Sequence, residues 1–248
     1  MLGDAIVRRL AIYALPDPFL LTVIVPIFNE VGTVAEVVAR LKATGLPMQI
    51  ILVDDGSTDG TRQVLAELAT EPGIELLQHC DNRGKGAAIR TAVPLAKGDV
   101  IVIQDADREY DPEDFRWLLQ PIVDNEADVV YGTRYGQPDR QVSPWWHQAA
   151  NAFITLLASV AIGLRLRDIE TCYKMARRES FERIVGDLKE DRFGIEIELT
   201  ARWARLGLRF AERPIRYHHR WYGEGKKIGW RDGIAALGCI FWYGGLRR

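Results

Sequence analysis

Short runs of apolar, β-branched residues alternate with segments of helical periodicity through the first half of the chain. The runs cover residues 21–26, 49–53, 74–78, 100–103 and 128–132. Helical patterns follow at 33–41, at 61–69, at 85–96 and at 114–123. Strands that alternate with helices in this way form βαβ units, in which helices cover both faces of a parallel sheet. The sequence therefore predicts an α/β fold with a mainly parallel central sheet.

The run at residues 100–103 ends in a cluster of acidic side chains. Asp105 and Asp107 are two positions apart and point the same way, and Glu109 can reach them from the following turn. Carboxylates crowded at the end of a buried strand repel one another, and their hard oxygen atoms suit Mg²⁺ or Mn²⁺. The alternative is an acidic turn that only caps the helix beginning near Pro112. The triplet by itself leaves both interpretations open.

The other predicted strands also end in polar residues. Glu30 follows the first strand, Asp54 ends the second, and Arg134 follows the fifth. Ligands of parallel α/β sheets bind beyond the carboxyl ends of the strands. We therefore expect the functional side chains to collect along one rim of the sheet.

The composition excludes several classes of protein. Of 248 residues, 48% are hydrophobic and 27% are charged, which is ordinary for a globular chain with a sizeable core. A net charge of −2 argues against a nucleic-acid partner bound over the whole surface. Three widely spaced cysteines form neither a disulfide framework nor a metal-binding pattern, and they favour a reducing cytosol.

The second half of the chain differs in how its charged and apolar residues are distributed. Residues 141–164 contain no Asp, Glu, Lys or Arg, and residues 234–243 form an apolar, aromatic helical segment. The first segment is either a helix covered by protein or a helix lying in a membrane surface, and the second suits a membrane interface. We also predict an extended segment at 168–176, helices at 177–185 and 194–206, and a strand at 209–217. Together these patterns predict a peripheral protein at the cytosolic face of a membrane.

Six motifs in order resemble the family 2 glycosyltransferases of the GT-A fold, in particular the dolichol-phosphate mannose synthase and polyprenyl-phosphate glycosyltransferase group. The motifs lie at residues 25–30, 54–61, 82–87, 105–107, 132–135 and 220–226. The sequence departs from that of the mannose synthases at one position and over one stretch. Those enzymes usually have Gln at the position of Glu109, and a different sequence in place of residues 168–174. These departures bear on which sugar and which acceptor the resemblance implies, and they do not change the predicted fold.

The resemblance implies a set of site residues. Asp105, Asp107 and Glu109 would hold Mg²⁺ or Mn²⁺ against the donor diphosphate, and the catalytic residues would be Asp107, Arg134 and Glu196. The implied donor-binding residues are Pro26, Phe28, Glu30, Leu52, Asp54, Asp105, Ala106, Asp107, Arg134, Arg220 and Lys226. Asp54 would be functional, whereas residues 57–59 would form a turn and a helix cap.

Several residues have two interpretations. Lys85, in a glycine-flanked turn that opens a helix, is either a phosphate ligand or a surface lysine. Glu196 or Glu198 could be the base that deprotonates a hydroxyl acceptor, or could simply pair with Arg202 on the helix surface. Asp168 and Glu170 are similar open cases on the acceptor side.

The resemblance predicts a single domain over residues 1–248, with a nucleotide-sugar half at 20–135, an acceptor half and lid at 136–230, and an interfacial helix at 231–248. The expected activity is inverting, metal-dependent transfer of a hexose from a donor of the GDP-mannose or UDP-glucose type to a polyprenyl or dolichyl phosphate. The alternatives are transfer to a hydroxyl of a growing glycan and, less in keeping with the motifs, a sugar nucleotidyltransferase.

Overall fold

A computed structural model describes residues 13–135, 145–219 and 230–245. Within these residues the strands are β1 (Leu21–Ile27), β2 (Met48–Asp54), β3 (Ile74–Gln78), β4 (Val100–Ile103), β5 (Val129–Thr133), β6 (Lys174–Arg177) and β7 (Phe210–Pro214). The helices are α1 (Val34–Ala43), α2 (Thr61–Leu68), α3 (Lys85–Ala92), α4 (Phe115–Val123), α5 (Trp145–Ile162), α6 (Arg178–Val185), α7 (Ile195–Arg205) and α8 (Trp230–Cys239). A π-helical turn, Ile240–Gly245, follows α8.

All of these strands belong to one sheet in the order β3-β2-β1-β4-β6-β5-β7. Strand β6 runs antiparallel to both β4 and β5, and every other pairing is parallel. The predicted α/β fold with a mainly parallel sheet is therefore confirmed. The antiparallel strand was not foreseen. Of the extended segment predicted at 168–176, only residues 174–176 belong to a strand, which continues to Arg177 where a helix was predicted to begin.

The central strands are buried because helices cover both faces of the sheet. The four residues of β4 are at most 2% exposed, and the aliphatic side chains of β1 other than Pro26 are equally inaccessible. Continuous β-branched runs are what a strand buried on both faces requires. The acidic residues that follow β4 are thus carried on one of the most rigid parts of the fold.

Among the residues that the structure describes, apolar side chains form two separate clusters. The larger lies between the sheet and its covering helices. The smaller joins α5, α7, α8 and the terminal turn, and its buried members are Ile154, Ala158, Ile169, Ile197, Ala201, Ala236, Cys239, Ile240 and Tyr243. The uncharged segment thus has one face packed in a small helical cluster. No helix among the described residues has both the length and the apolar character needed to cross a bilayer.

The direction of β6 determines what reaches the functional rim. The carboxyl ends of β1, β2, β4 and β5 meet at that rim, as expected for parallel strands. Because β6 runs the other way, its amino end lies there instead, and this places Lys174 beside the end of β4.

Candidate active site

The acidic cluster after β4 is the centre of the candidate site. The Asp107 carboxylate accepts a hydrogen bond of 3.0 Å from the backbone N–H of Glu109, and Asp105 is near enough to act electrostatically on Asp107. Burial raises the pKa of Asp107 to about 8, and the negative charges of Asp105 and Glu109 add to the effect. A cation placed among these carboxylates would remove the repulsion between them. Their oxygen atoms are the kind of ligand that a hard divalent ion prefers.

Two side chains from elsewhere already contact the acids. The Lys85 ammonium lies 2.7 Å from Asp105 Oδ1, and the Tyr217 hydroxyl donates a 2.9 Å hydrogen bond to Glu109 Oε2. In the part of the chain that the structure describes, no three His, Cys, Asp or Glu side chains are grouped as a metal would require. The assignment of Asp105, Asp107 and Glu109 as metal ligands therefore stays a prediction.

Glu196, at the start of α7, lies between two lysines. Its Oε1 is 2.8 Å from the Lys85 ammonium, and its Oε2 is 2.6 Å from that of Lys174. Lys174 is fully buried and also donates to the carbonyl oxygens of Ile169 and Thr171. The structure therefore places Glu196 in a buried ion cluster, with both of its oxygens against ammonium groups. The base role suggested for Glu196 from the sequence stays a prediction.

Glu198, two residues further on, has a structural role. Its carboxylate accepts hydrogen bonds from the backbone N–H groups of Lys189 and Glu190 and from the Arg202 guanidinium at 2.7 Å. The pairing with Arg202 that the sequence allowed is confirmed for this glutamate, although the side chain is fully buried and does not lie on the helix surface.

Lys85 is not a surface lysine, because only 10% of its side chain is exposed. Burial alone would lower the pKa of Lys85, but Asp105 and Glu196 outweigh burial and hold that pKa well above its usual range. The helix amino terminus around it is closed by protein, since the N–H groups of Gly86 and Ala87 donate to the carbonyl oxygen of Asp191 at 2.7 and 3.2 Å. These two N–H groups are therefore already engaged within the protein.

Gly84 and Gly86 allow this close approach. A Cβ atom on Gly86 would collide with the carbonyl oxygen of Glu190, and one on Gly84 with that of Asp191. Gly84 also has a φ of 102°, in the region that favours glycine. The glycine-flanked motif therefore docks α3 against a neighbouring loop and directs Lys85 towards the acids.

Arg134 forms a buried bidentate ion pair. Its Nε and Nη2 atoms donate to the two oxygens of Asp168 at 2.8 and 2.7 Å, and Asp168 is fully buried. Nη2 also contacts Oδ1 of Asn151 on α5 at 3.3 Å, and the guanidinium lies 5.4 Å from the centre of the Tyr217 ring. Asp168 thus holds the cation that the sequence placed beside the substrate phosphates.

The residues expected to line the nucleoside pocket are found at the ends of β1 and β2. Asp54 is fully buried, and its carboxylate accepts from Arg62 Nε at 2.7 Å and from the Ser57 N–H at 3.0 Å. Leu52 is also fully buried within the main core. The more accessible members are Pro26 and Phe28, and Ala106 is buried next to the acids.

Glu30, another expected pocket residue, is 9% exposed and accepts a 2.7 Å hydrogen bond from the Thr33 hydroxyl. Arg220 and Lys226, which the resemblance placed around the phosphates, lie outside the described residues. Of the remaining predicted residues, Asp105, Asp107, Glu109 and Glu196 are brought together at the end of β4.

Sequence reasoning missed Lys174 and Tyr217. A signal for Lys174 was present, because a lysine within the apolar segment at 172–176 must find a partner if that segment is buried. Tyr217 carried no comparable signal, since its contacts with Glu109 and Arg134 join positions about a hundred residues apart in one case and more than eighty in the other.

Comparison with known proteins agrees with the fold. The undecaprenyl-phosphate mannosyltransferase of Micrococcus luteus is 31% identical over 225 residues, which are 88% of this chain and 92% of that protein. The polyprenol monophosphomannose synthase of Mycolicibacterium smegmatis is 32% identical over 84% of this chain and 80% of its own length. Crystalline glucosyl-3-phosphoglycerate synthase of Mycobacterium tuberculosis, bound to Mn²⁺, uridine diphosphate and glucosyl-3-phosphoglycerate, superposes with a TM-score of 0.68. It is 20% identical, and the match covers 94% of this chain and 82% of that one.

The family model described as glycosyl transferase family 2 matches residues 22–185, which include β1 to β6 and the acidic cluster after β4. The matched segment is well over half of the chain, and it carries five of the six motifs recognised in the sequence. The chain therefore belongs to the family 2 glycosyltransferases.

Proposed function

We propose that this glycosyltransferase transfers a hexose from a nucleotide-diphospho sugar to a polyprenyl phosphate at the cytosolic face of a membrane. The names of two relatives support the proposal. One is an undecaprenyl-phosphate mannosyltransferase, and the other is a polyprenol monophosphomannose synthase. The reaction would be an in-line attack by a phosphate oxygen on the anomeric carbon, which inverts the configuration at that carbon.

Helix α5 provides the observation that carries the proposal, because it connects a cation to an exposed apolar surface. Its Asn151 contacts Arg134 at 3.3 Å within the site. Its opposite face exposes Phe153, Leu156 and Val160 by 56%, 60% and 75%. A lipid phosphate needs a positive partner for its head and an apolar surface for its tail, and α5 offers both over a few turns.

The terminal turn extends the apolar surface. It packs closely against α5, since a Cβ on Gly244 would collide with the side chain of Ala161. Phe241 and Trp242 on this turn are 70% and 66% exposed. Aromatic side chains are favoured at the boundary between lipid and water, so these residues support a peripheral position on a membrane.

Glu196 argues against a hydroxyl acceptor. A hydroxyl must lose its proton to a base during attack, whereas a phosphate oxygen is already anionic. Each Glu196 oxygen already lies within 2.8 Å of an ammonium group, so both oxygens are engaged within the protein. An acceptor that needs no base fits this arrangement better.

The donor site would use the acidic cluster. Asp105, Asp107 and Glu109 would hold Mg²⁺ or Mn²⁺, and the ion would neutralise charge on the departing nucleoside diphosphate. Arg134, Arg220 and Lys226 would bind the phosphates of the donor and acceptor. Pro26, Phe28, Glu30 and Asp54 would border the nucleoside.

The test is a transfer assay with the purified full chain, radiolabelled nucleotide sugars and Mn²⁺ or Mg²⁺. One set of reactions contains polyprenyl phosphate, a matched set contains the corresponding polyprenol, and a third contains a soluble oligosaccharide. We expect label to enter the organic phase with polyprenyl phosphate only. Transfer to polyprenol at a comparable rate, or to the oligosaccharide alone, would refute the phosphate acceptor and favour a hydroxyl acceptor.

A further inference from the structure

Four charged side chains of alternating sign connect the core to the acidic cluster. Lys174 contacts Glu196 at 2.6 Å, and the other oxygen of Glu196 contacts Lys85 at 2.8 Å. Lys85 then contacts Asp105 at 2.7 Å. The set contains two positive and two negative side chains, and we call it the four-charge cluster.

The cluster is buried at its inner end and accessible at its outer end. Lys174 has no exposed side-chain surface and Glu196 has 5%, whereas Asp105 has 30%. Lys85 begins α3, whose first N–H groups are bound to the loop at Asp191. Its backbone is therefore fixed, and only its side chain can change partner.

Asp105 cannot serve two cations equally well. The ammonium of Lys85 occupies Oδ1, and a divalent ion bound by the same carboxylate would lie close to that ammonium. Like charges at such separations repel, and more strongly in a partly buried site than in bulk water. A nucleoside diphosphate would relieve the repulsion between the ammonium and the metal ion. Its anionic oxygens can accept hydrogen bonds from the Lys85 ammonium while they also bind the metal.

We propose that Lys85 competes with the divalent cation for Asp105, and that a nucleoside diphosphate removes this competition by becoming the new partner of Lys85. Lys85 is then the residue that couples metal binding to donor binding, and Glu196 is a positioning residue for it. The inference rests on the metal-dependent donor site of the proposed function and is independent of the acceptor.

Coupling between two ligands is reciprocal and typically changes affinity by about 5- to 150-fold. Removing the Lys85 ammonium should therefore raise the affinity for Mn²⁺ alone and lower the coupling between Mn²⁺ and the nucleoside diphosphate. Mn²⁺ alone should bind Lys85→Met more tightly than the wild type, because the competitor is gone. The gain in Mn²⁺ affinity on adding nucleoside diphosphate should shrink, because the diphosphate has no ammonium to take over.

The experiment measures Mn²⁺ binding to the full chain by electron paramagnetic resonance, with and without uridine or guanosine diphosphate, and corrects for Mn²⁺ bound to free nucleotide. For the wild type we expect about a tenfold or larger gain in affinity with the preferred nucleotide. For Lys85→Met we expect about tenfold tighter binding of Mn²⁺ alone and a coupling of less than about threefold. Lys97→Met is the matched control, because it breaks an exposed lysine–carboxylate contact of 2.6 Å to Glu75 away from the site.

Lys85→Arg keeps the positive charge and should retain weak binding of Mn²⁺ alone. An unchanged Mn²⁺ affinity in folded Lys85→Met, or its equal change in Lys97→Met, would overturn the inference. If Lys85→Met does not fold, the measurement on the wild type tests the inference. A wild-type Mn²⁺ affinity that the nucleoside diphosphate leaves unchanged would also overturn the inference. Failure of Mn²⁺ to bind under any condition would instead refute the metal-dependent site, and failure of lipid transfer would leave the coupling result standing.

Discussion

Two aspartate–arginine pairs offer a direct test of how burial sets the value of an ion pair in this fold. Asp168 and Arg134 make bidentate contacts at 2.8 and 2.7 Å, with side chains that are 0% and 19% exposed. Asp128 and Arg209 make the same contacts at 3.0 and 2.8 Å, but their side chains are 20% and 48% exposed. The chemistry is matched and the surroundings differ.

We predict that Asp168→Asn lowers the free energy of unfolding by about 3–5 kcal/mol, because it leaves the Arg134 guanidinium largely buried without its counter-charge. Asp128→Asn should cost about 1 kcal/mol or less, since water screens the exposed pair. Because Asp168 holds Arg134, Asp168→Asn should also reduce transfer activity sharply, whereas Asp128→Asn should leave activity near that of the wild type.

The measurement is urea-induced unfolding followed by circular dichroism at pH 7. The double variant Arg134→Met with Asp168→Asn completes a thermodynamic cycle, and it should be more stable than the sum of the single changes predicts, because no charge is left unpaired. Equal losses for Asp168→Asn and Asp128→Asn, or a loss under about 1 kcal/mol for Asp168→Asn, would refute the reasoning.

The same pair predicts a dependence on pH. Burial opposes ionisation of Asp168, but Arg134 outweighs burial and holds the pKa of Asp168 below its usual value. A carboxyl with a lowered pKa stabilises the fold above its unfolded pKa, and this contribution disappears as the pH falls through the folded pKa. Asp168→Asn should therefore lose less stability on acidification than the wild type, and an unchanged acid dependence would contradict the pairing.

Three further changes test other parts of the molecule. Gly86→Ala forces a methyl group against the facing loop and should cost about 1–3 kcal/mol in urea unfolding, whereas Gly238→Ala, with open space around it, should be nearly neutral. With chelator present, unfolding stability of the wild type should fall between pH 5 and 7, because native Asp107, whose pKa is about 8, keeps a proton that the unfolded chain has lost. Asp107→Asn should reduce that slope by up to about 1.4 kcal/mol per pH unit, and an unchanged slope would contradict the raised pKa. Leu156→Asp should weaken sedimentation with phosphatidylglycerol vesicles, and Leu95→Asp, at a position that is 41% exposed on another element, should not.

Much of the fold could be predicted because its strands carry their own signal. The bounds of β3 and β4 agree with the expectation from sequence to the residue. For β4 the reason is that a strand buried on both faces must be a short apolar run between polar ends. The gathering of Asp105 and Arg134 on one rim followed from the same rule. Family membership was also predictable, because the resemblance rested on six motifs, five of which lie within the segment that the family model matches.

The sequence was less informative where a residue's role depends on a distant partner. Nothing local indicates that Lys85 meets Glu196, or that Tyr217 meets Glu109, because each contact closes a loop of about a hundred residues. The direction of β6 was equally hidden, since the four residues Lys174–Arg177 carry no local pattern that sets the sense of their pairing.

The sequence by itself therefore determined the α/β sheet, the acidic end of β4 and the family, because all three depend on local patterns of apolar and charged residues. Only the tertiary structure decided how the charges are shared. The antiparallel β6 brings Lys174 to the rim, Lys174 and Lys85 enclose Glu196, and Lys85 reaches Asp105. A buried charge must find its counter-charge through space, and the fold supplies that proximity where the order of the chain does not.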